Sequence, residues 1–209
     1  MRYVDLSHPL ETGMPVYPGD PEVSFAPELT IAADGVAVER LELGSHAGTH
    51  LDAPAHAVPG GRTVDQIPLE RLWGPARLLR VSAPSAGGSI GIAELDLPAA
   101  LPGIVCVATG WDAHFGTPRA EQHPALALEL AAALWARGAR VLAVDTLSPD
   151  ATVGGGGMPV HDFWLGNDGV IVENLTGLGR VPEAFELAIL PLRLAGIDGS
   201  PVRAVARVG

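Results

Sequence analysis

Apolar positions along the chain fall into short β-branched runs and one helical stretch. "GPARLLRVSA" (74–83) and "IVCVATG" (104–110) end in turn formers and read as buried strands. "HPALALELAAALWARG" (123–138) predicts the clearest helix. Pro124 is placed in its first turn, where the missing N–H costs nothing, and Gly138 stops it. "ARVLAVDT" (139–146) then reads as a strand, making an αβ unit. Its Asp145 and Thr146 fall at a strand end, where α/β sheets carry functional groups. "GVIVENL" (169–175) predicts a strand with Glu173 inside it. "FELAILPLRLAG" and "PVRAVARV" close the chain as β segments, the last alternating strictly.

The first part of the chain is less regular. Prolines and glycines make residues 1–35 loop-rich. "VAVERLELGSH" (36–46) alternates imperfectly and predicts a strand with both faces partly buried. "TVDQIPLERL" (63–72) predicts a short helical segment interrupted at Pro68. "ATVGGGGMPVHDFWLGND" reads as a flexible loop and then a short helix near His161. No repeat or linker divides the chain. The expectation is one domain over residues 1–209, of the α/β class (α+β, with a mixed sheet).

Composition narrows the function. The 209 residues are 47% hydrophobic and 18% charged, enough apolar material for one core. Net charge is −11 and there is no lysine, so no basic stripe exists to bind nucleic acid or an anionic membrane. No apolar run reaches the ~18 residues that span a bilayer. The N-terminus "MRYVDLSHPLE" has no apolar segment of a signal peptide. The single Cys106 cannot form an internal disulfide, which fits a reducing cytoplasm, and its apolar surroundings make it a small hydrophobe. A small molecule or a metal is the expected partner.

The candidate chemistry sits in "GSHAGTHLDAPAHAVPGG" (44–61), where His46, His50, Asp52 and His56 fall within eleven residues. On a straight strand His46 and His50 would share a face but lie about 13 Å apart, at ~3.3 Å per residue. Zinc–nitrogen bonds are ~2.0 Å, so the segment must curl if both hold one ion. Gly48 permits the curl, and a helical turn would put the two histidines on one side. Pro54 then ends any helix, with His56 just beyond. A solvated loop that happens to carry histidines is the competing reading. Glu173 is the strongest remote ligand, because a carboxylate in an apolar strand is costly to bury unless paired or coordinated; His161 is the other candidate.

"SHAGTHLDAPAH" resembles the His-x-Gly-Thr-His-x-Asp-x-Pro-x-His pattern of the cyclase family, which includes bacterial kynurenine formamidases. "DLSHPLETGMPVYPGDP", "VDTLSPD", "VENL" and "DGSPVRAV" resemble other parts of the same family, so the likeness spans nearly the whole chain. The resemblance implies a swivelling β/β/α domain and a homodimer or higher homo-oligomer. It makes His46, His50, Asp52, His161 and Glu173 the metal ligands, Asp52 able to bridge two ions, with a His161-to-Glu173 spacing that agrees with the family's. It makes His56 the catalytic acid/base. Tyr17 stands where the family's kynurenine formamidases carry a pocket tryptophan, and so becomes a substrate-binding residue.

The activity implied is hydrolysis of an amide C–N bond by a zinc-activated water, with one or two ions per subunit. Manganese is also compatible with an all-nitrogen-and-oxygen donor set. N-formylkynurenine or another N-formyl arylamine is the leading substrate. A lactam such as isatin, a cyclic ester, or a metal-binding member without turnover are the alternatives. Trp111 reads as a core residue or a pocket wall, His8, His114 and His123 as structural, and the "GGGG" run (154–157) as a surface loop with room for a lid role.

Overall fold

The computed structural model describes residues 1–209. Twelve strands form: β1 (Arg2–Asp5), β2 (Ser24–Leu29), β3 (Val38–Glu42), β4 (His50–Asp52), β5 (Trp73–Arg80), β6 (Ser89–Ile90), β7 (Ile104–Ala108), β8 (Ala125–Leu126), β9 (Val141–Val144), β10 (Val170–Glu173), β11 (Ala184–Pro191) and β12 (Gly199–Val208). Four short helices accompany them: α1 (Ile31–Asp34), α2 (Leu69–Leu72), α3 (Leu128–Ala136) and α4 (Pro159–Gly166). Eight strands make one mixed sheet in the order β1-β12-β11-β5-β7-β9-β10-β4. The long β12 also pairs with β4, which closes the sheet into a barrel. β5, β7, β9 and β10 run parallel; the other neighbours are antiparallel.

Alternation along the parallel strands explains their apolar runs. Ile104, Cys106 and Ala108 point into the barrel, with Val141, Ala143, Val170 and Val172. Val105, Val107, Leu142, Val144 and Ile171 point outward, under Leu130 and Leu134 of α3 and Val160 and Trp164 of α4. Both faces are covered, so nearly every residue of these strands is apolar. Cys106 is wholly buried, and burial pushes its thiol up to about 12, which leaves no nucleophile there.

The expected helix over 123–138 is shorter than its pattern. Pro124 lies outside it, because Ala125–Leu126 is drawn into a two-residue parallel pairing with β6, and the helix starts at Leu128. The strand expected over 36–46 is β3, but all of its residues are exposed rather than partly buried. It pairs only with β2, in a hairpin outside the main sheet. That hairpin, with β1, also gives residues 1–35 more regular structure than their prolines suggest. The break at Pro68 separates a 3-10 turn at Val64–Gln66 from α2, as the pattern predicts.

Candidate metal centre and active site

The site forms where the carboxyl end of β10 meets β4. Gly48 takes a left-handed φ of 61°, which turns the chain sharply before it enters β4. The curl expected between His46 and His50 is therefore present, but it is a glycine turn into a strand and not a helical turn. The strand period puts His50 and Asp52 on one face, and the antiparallel register sets Glu173 opposite His50. His161 arrives from the first turn of α4, which packs against the Pro54–His56 turn.

Hydrogen bonds fix the rings. His50 donates from Nδ1 to the Gly48 carbonyl at 2.9 Å. His161 Nδ1 lies 2.7 Å from Asp150 Oδ2. In each case Nε2 is left facing the carboxylates. His50 Nε2 lies 3.3 Å from Asp52 Oδ1 and 3.3 Å from Glu173 Oε2. His161 Nε2 lies 3.3 Å from Glu173 Oε1 and 3.7 Å from Asp52 Oδ2. His46 Nδ1 lies 2.7 Å from Asp52 Oδ1. Two overlapping donor sets result, His46–His50–Asp52 and Asp52–His161–Glu173, with Asp52 common to both.

The donor set fits a divalent ion. Asp52 Oδ2 and Glu173 Oε1 are buried without a well-directed hydrogen bond, His161 Nε2 standing 3.7 and 3.3 Å away, a costly state that a coordinated cation removes. The electrostatics agree. Burial alone would lower the imidazoles of His50 and His161. The carboxylates of Asp52 and Glu173, joined at His161 by Asp150, instead hold both well above the ordinary range. The Asp52 carboxyl is held well below its own range by His50, His161 and His46, against its burial. The cluster is an anionic hole that draws positive charge, and nitrogen and oxygen donors suit zinc or manganese.

The hole opens into a cavity of about 200 Å³, whose wall includes Tyr17, Asp20, Phe115, Met158 and His56. His56 Nδ1 lies 3.2 Å from Asp198 Oδ2, and His46 Nε2 lies 2.8 Å from the same oxygen. Partial burial would raise the Asp198 carboxyl, but His46 and His56 hold it down to about 2.

The six residues selected at the motif and at positions 161 and 173 thus lie together, and Tyr17 is among the residues that line the cavity above them. Asp150 and Asp198 carry no ligand motif of their own. Their only sequence signal was a place inside "VDTLSPD" and "DGSPVRAV". Trp111 is buried, bonds the Arg119 carbonyl and lies outside the cavity wall. Asp145 accepts from Thr109 and Gly110, bracing the ends of β7 and β9. His123 is buried against Thr152 and Pro124. His8 stacks on Phe115 with ring centroids 3.9 Å apart.

A closed mixed sheet with an anionic, imidazole-lined hole beneath a cavity is the frame of a metal centre, and together with the relatives it resembles it gives the class: a metal-dependent hydrolase. The family follows from the comparisons. A family model described as "Putative cyclase" matches residues 4–151. The kynurenine formamidase of Maricaulis maris is 36% identical, over 97% of this chain and 96% of that protein. A predicted metal-dependent hydrolase from Bacillus stearothermophilus is 28% identical, with a TM-score of 0.79 over 98% of this chain and 97% of that one. Isatin hydrolase A from Labrenzia aggregata shares the fold, with a TM-score of 0.85 at 23% identity over 98% of this chain and 93% of that one. The chain belongs to the cyclase family.

Proposed function

We propose that the chain hydrolyses the C–N bond of an N-formyl arylamine, with N-formylkynurenine as the leading substrate and zinc as the metal. The observation that carries this is the pair of unpartnered buried oxygens on Asp52 and Glu173, set beneath a cavity with two aromatic walls, Tyr17 and Phe115. His46, His50, Asp52, His161 and Glu173 would hold the metal, as one ion or as two sharing Asp52. A bound divalent ion would supply a water acidified to about pKa 7 and would polarise the substrate carbonyl.

The chain's own groups do the rest. Tyr17 and Phe115 offer ring faces to an aryl group, while His8 backs Phe115 and fixes its plane. His56 lines the cavity beside the metal hole and holds its Nδ1 on Asp198, which leaves Nε2 without a protein partner. That nitrogen is the one able to take a proton from the attacking water and then pass it to the leaving amine. Met158, at the end of the exposed 154–157 glycine run, forms part of the wall, so a lid role belongs to the same reading. A homodimer is the proposed assembly. Its support is the apolar surface that Leu29, Ile31, Val36, Val38 and Leu41 expose on and around the β2–β3 hairpin. No helix is long and apolar enough to cross a membrane, and the reduced, buried Cys106 supports a cytoplasmic setting.

The test replaces His56 by Ala and measures metal content together with turnover on formanilides and lactams. Metal is expected to stay, and turnover to fall about 10²- to 10⁴-fold. Unchanged turnover would overturn the role of His56. A protein that holds zinc or manganese and cleaves neither substrate class would overturn the hydrolase reading.

A further inference from the structure

We infer that Asp198 is a positioning residue, a single carboxylate that fixes both the metal-side ring of His46 and the proton-transfer ring of His56. The inference rests on the hydrolase reading and adds to it a residue from the opposite end of the chain. Asp198 sits just before β12, where the β4–β12 pairing brings it under the histidine motif. The backbone is pinned there as well, because Ala53 N donates to the Asp198 carbonyl at 2.8 Å. On the side chain, Oδ2 lies 2.8 Å from His46 Nε2 and 3.2 Å from His56 Nδ1, and Oδ1 accepts from Ser45 Oγ at 3.1 Å. The two rings it joins pack with centroids 4.1 Å apart.

Three consequences follow from that geometry. A carboxylate can only accept, so each imidazole must present an N–H to it. His56 is thereby held with its proton on Nδ1, and Nε2 is the nitrogen free for the substrate. His46 is held with Nδ1 turned to Asp52, which is the ring orientation a metal ligand needs from an outer carboxylate. One side chain thus couples the placement of the metal to that of the acid/base.

His46, His56 and Asp198 also lie close enough together to hold an ion themselves, and the hydrogen bonding argues against it. Both Asp198 oxygens are satisfied by protein donors, whereas Asp52 and Glu173 each keep an orphan oxygen. The missing charge belongs with the orphans.

The test compares metal-loaded wild-type protein with Asp198→Ala, Asp198→Asn, Asp198→Glu and Ser45→Ala. It measures kcat and KM on a formanilide, metal ions per chain, and the imidazole tautomers by nitrogen-15 NMR. Asp198→Ala is expected to lower kcat about tenfold to hundredfold, with KM within about threefold and the metal count retained at saturating zinc. The Nδ1–H tautomer of His56 should lose its dominance. Asp198→Asn can keep one oxygen for both rings, as in the wild type, but loses the charge and the oxygen that accepts from Ser45, so it should fall between, and Asp198→Glu should recover part of the loss. Ser45→Ala removes only the donor to Oδ1, so it gives a smaller loss and tests the clamp even if the alanine variant does not fold. Unchanged kcat and tautomer in the Asp198 variants would overturn the proposal. Loss of one ion per chain would overturn it too, by making Asp198 a ligand. If the wild type cleaves no formanilide or lactam, the hydrolase reading fails while the tautomer measurement still decides the clamp.

Discussion

Gly199 has no side chain because the His46 ring occupies the space where one would stand. A Cβ there would come within 2.7 Å of His46 Cε1 and 2.9 Å of the Leu51 carbonyl oxygen. His46 is clamped between Asp52 and Asp198 and cannot swing away without losing both. Gly199→Ala should therefore displace the ring. It is expected to cost about 1–3 kcal/mol of stability in urea melts of the metal-free protein, and zinc affinity should fall about tenfold by competition with a chelator. Wild-type affinity in this variant would show that the ring has room. Asp20 makes a second residue-scale case. It lines the cavity, while none of the chain's arginines does. A formanilide with an ammonium substituent should be preferred over one with a carboxylate. Asp20→Asn should shrink that ratio of kcat/KM by about twofold to fivefold, the scale of a partly exposed ion pair; an unchanged ratio removes Asp20 from the site. At this scale the ligand-type residues were legible, since four of them lie within eleven positions. Asp150 and Asp198 were not legible as partners. An aspartate in a Pro/Gly-rich turn looks like any turn aspartate until the fold brings a histidine to it.

Local pattern fixes elements well where both faces are buried and poorly where a neighbour intervenes. β7, β9 and β10 emerge within a few residues of their apolar runs, because their environment is uniform. α3 loses its first turn to the pairing with β6, a contact between residues 36 apart that no helical pattern carries. α4 depends on another distant partner. Its N-cap, Met158, offers no capping oxygen; Asp150 accepts instead from the N–H groups of Val160 and His161, at 2.9 and 3.0 Å. The same carboxylate holds the His161 ring, so helix start and ring orientation fall together. Asp150→Ala should cost about 2–4 kcal/mol, read from denaturant unfolding without metal. A loss below half a kcal/mol would mean water replaces the cap. The far end of α4 carries a charge-dependent tie. Asp168, at a left-handed φ of 62°, accepts from Arg62 and Arg71. Partial burial would raise its carboxyl, but the two guanidinium groups hold it below the ordinary range. The folded value is the depressed one, so the stabilisation is complete above the unfolded value of ~3.9 and is lost as pH falls through the lower folded value. Asp168→Asn, which tolerates the same φ, should cost about 1 kcal/mol at pH 7 and progressively less below pH 4. A pH-independent difference between the two melts would contradict this.

At the scale of the molecule, barrel closure is what turns separate segments into a site. β12 pairs with β4 through Gly199–Pro201, so the C-terminal strand delivers Asp198 to a motif about 150 residues earlier in the chain, while β10 delivers Glu173 from its other side. Mixed α/β character could be read from the runs, but the closure could not, because strand order depends on pairings between distant segments. Closure also concentrates charge. Asp52, Glu173, Asp150 and Asp198, four of the carboxylates counted in the net charge of −11, converge on one end of the barrel, where imidazoles are the titratable groups that bond to them. Without an ion, protons on the imidazoles must balance these carboxylates, and the orphan oxygens of Asp52 and Glu173 still weigh against folding. Metal should therefore stabilise the whole barrel. Zinc held at 1,000 times its dissociation constant contributes about 4 kcal/mol. In a domain of this size that raises Tm by about 8–16 °C. Differential scanning calorimetry with graded zinc, and again after chelation, checks this. Tm should climb with the logarithm of free zinc and return on chelation. His50→Ala or Glu173→Gln should flatten the slope, whereas His56→Ala should leave it as steep as in the wild type, because that ring faces the substrate side. A zinc-independent Tm would separate the cluster from the stability of the fold, and a flattened slope in His56→Ala would move His56 among the ligands.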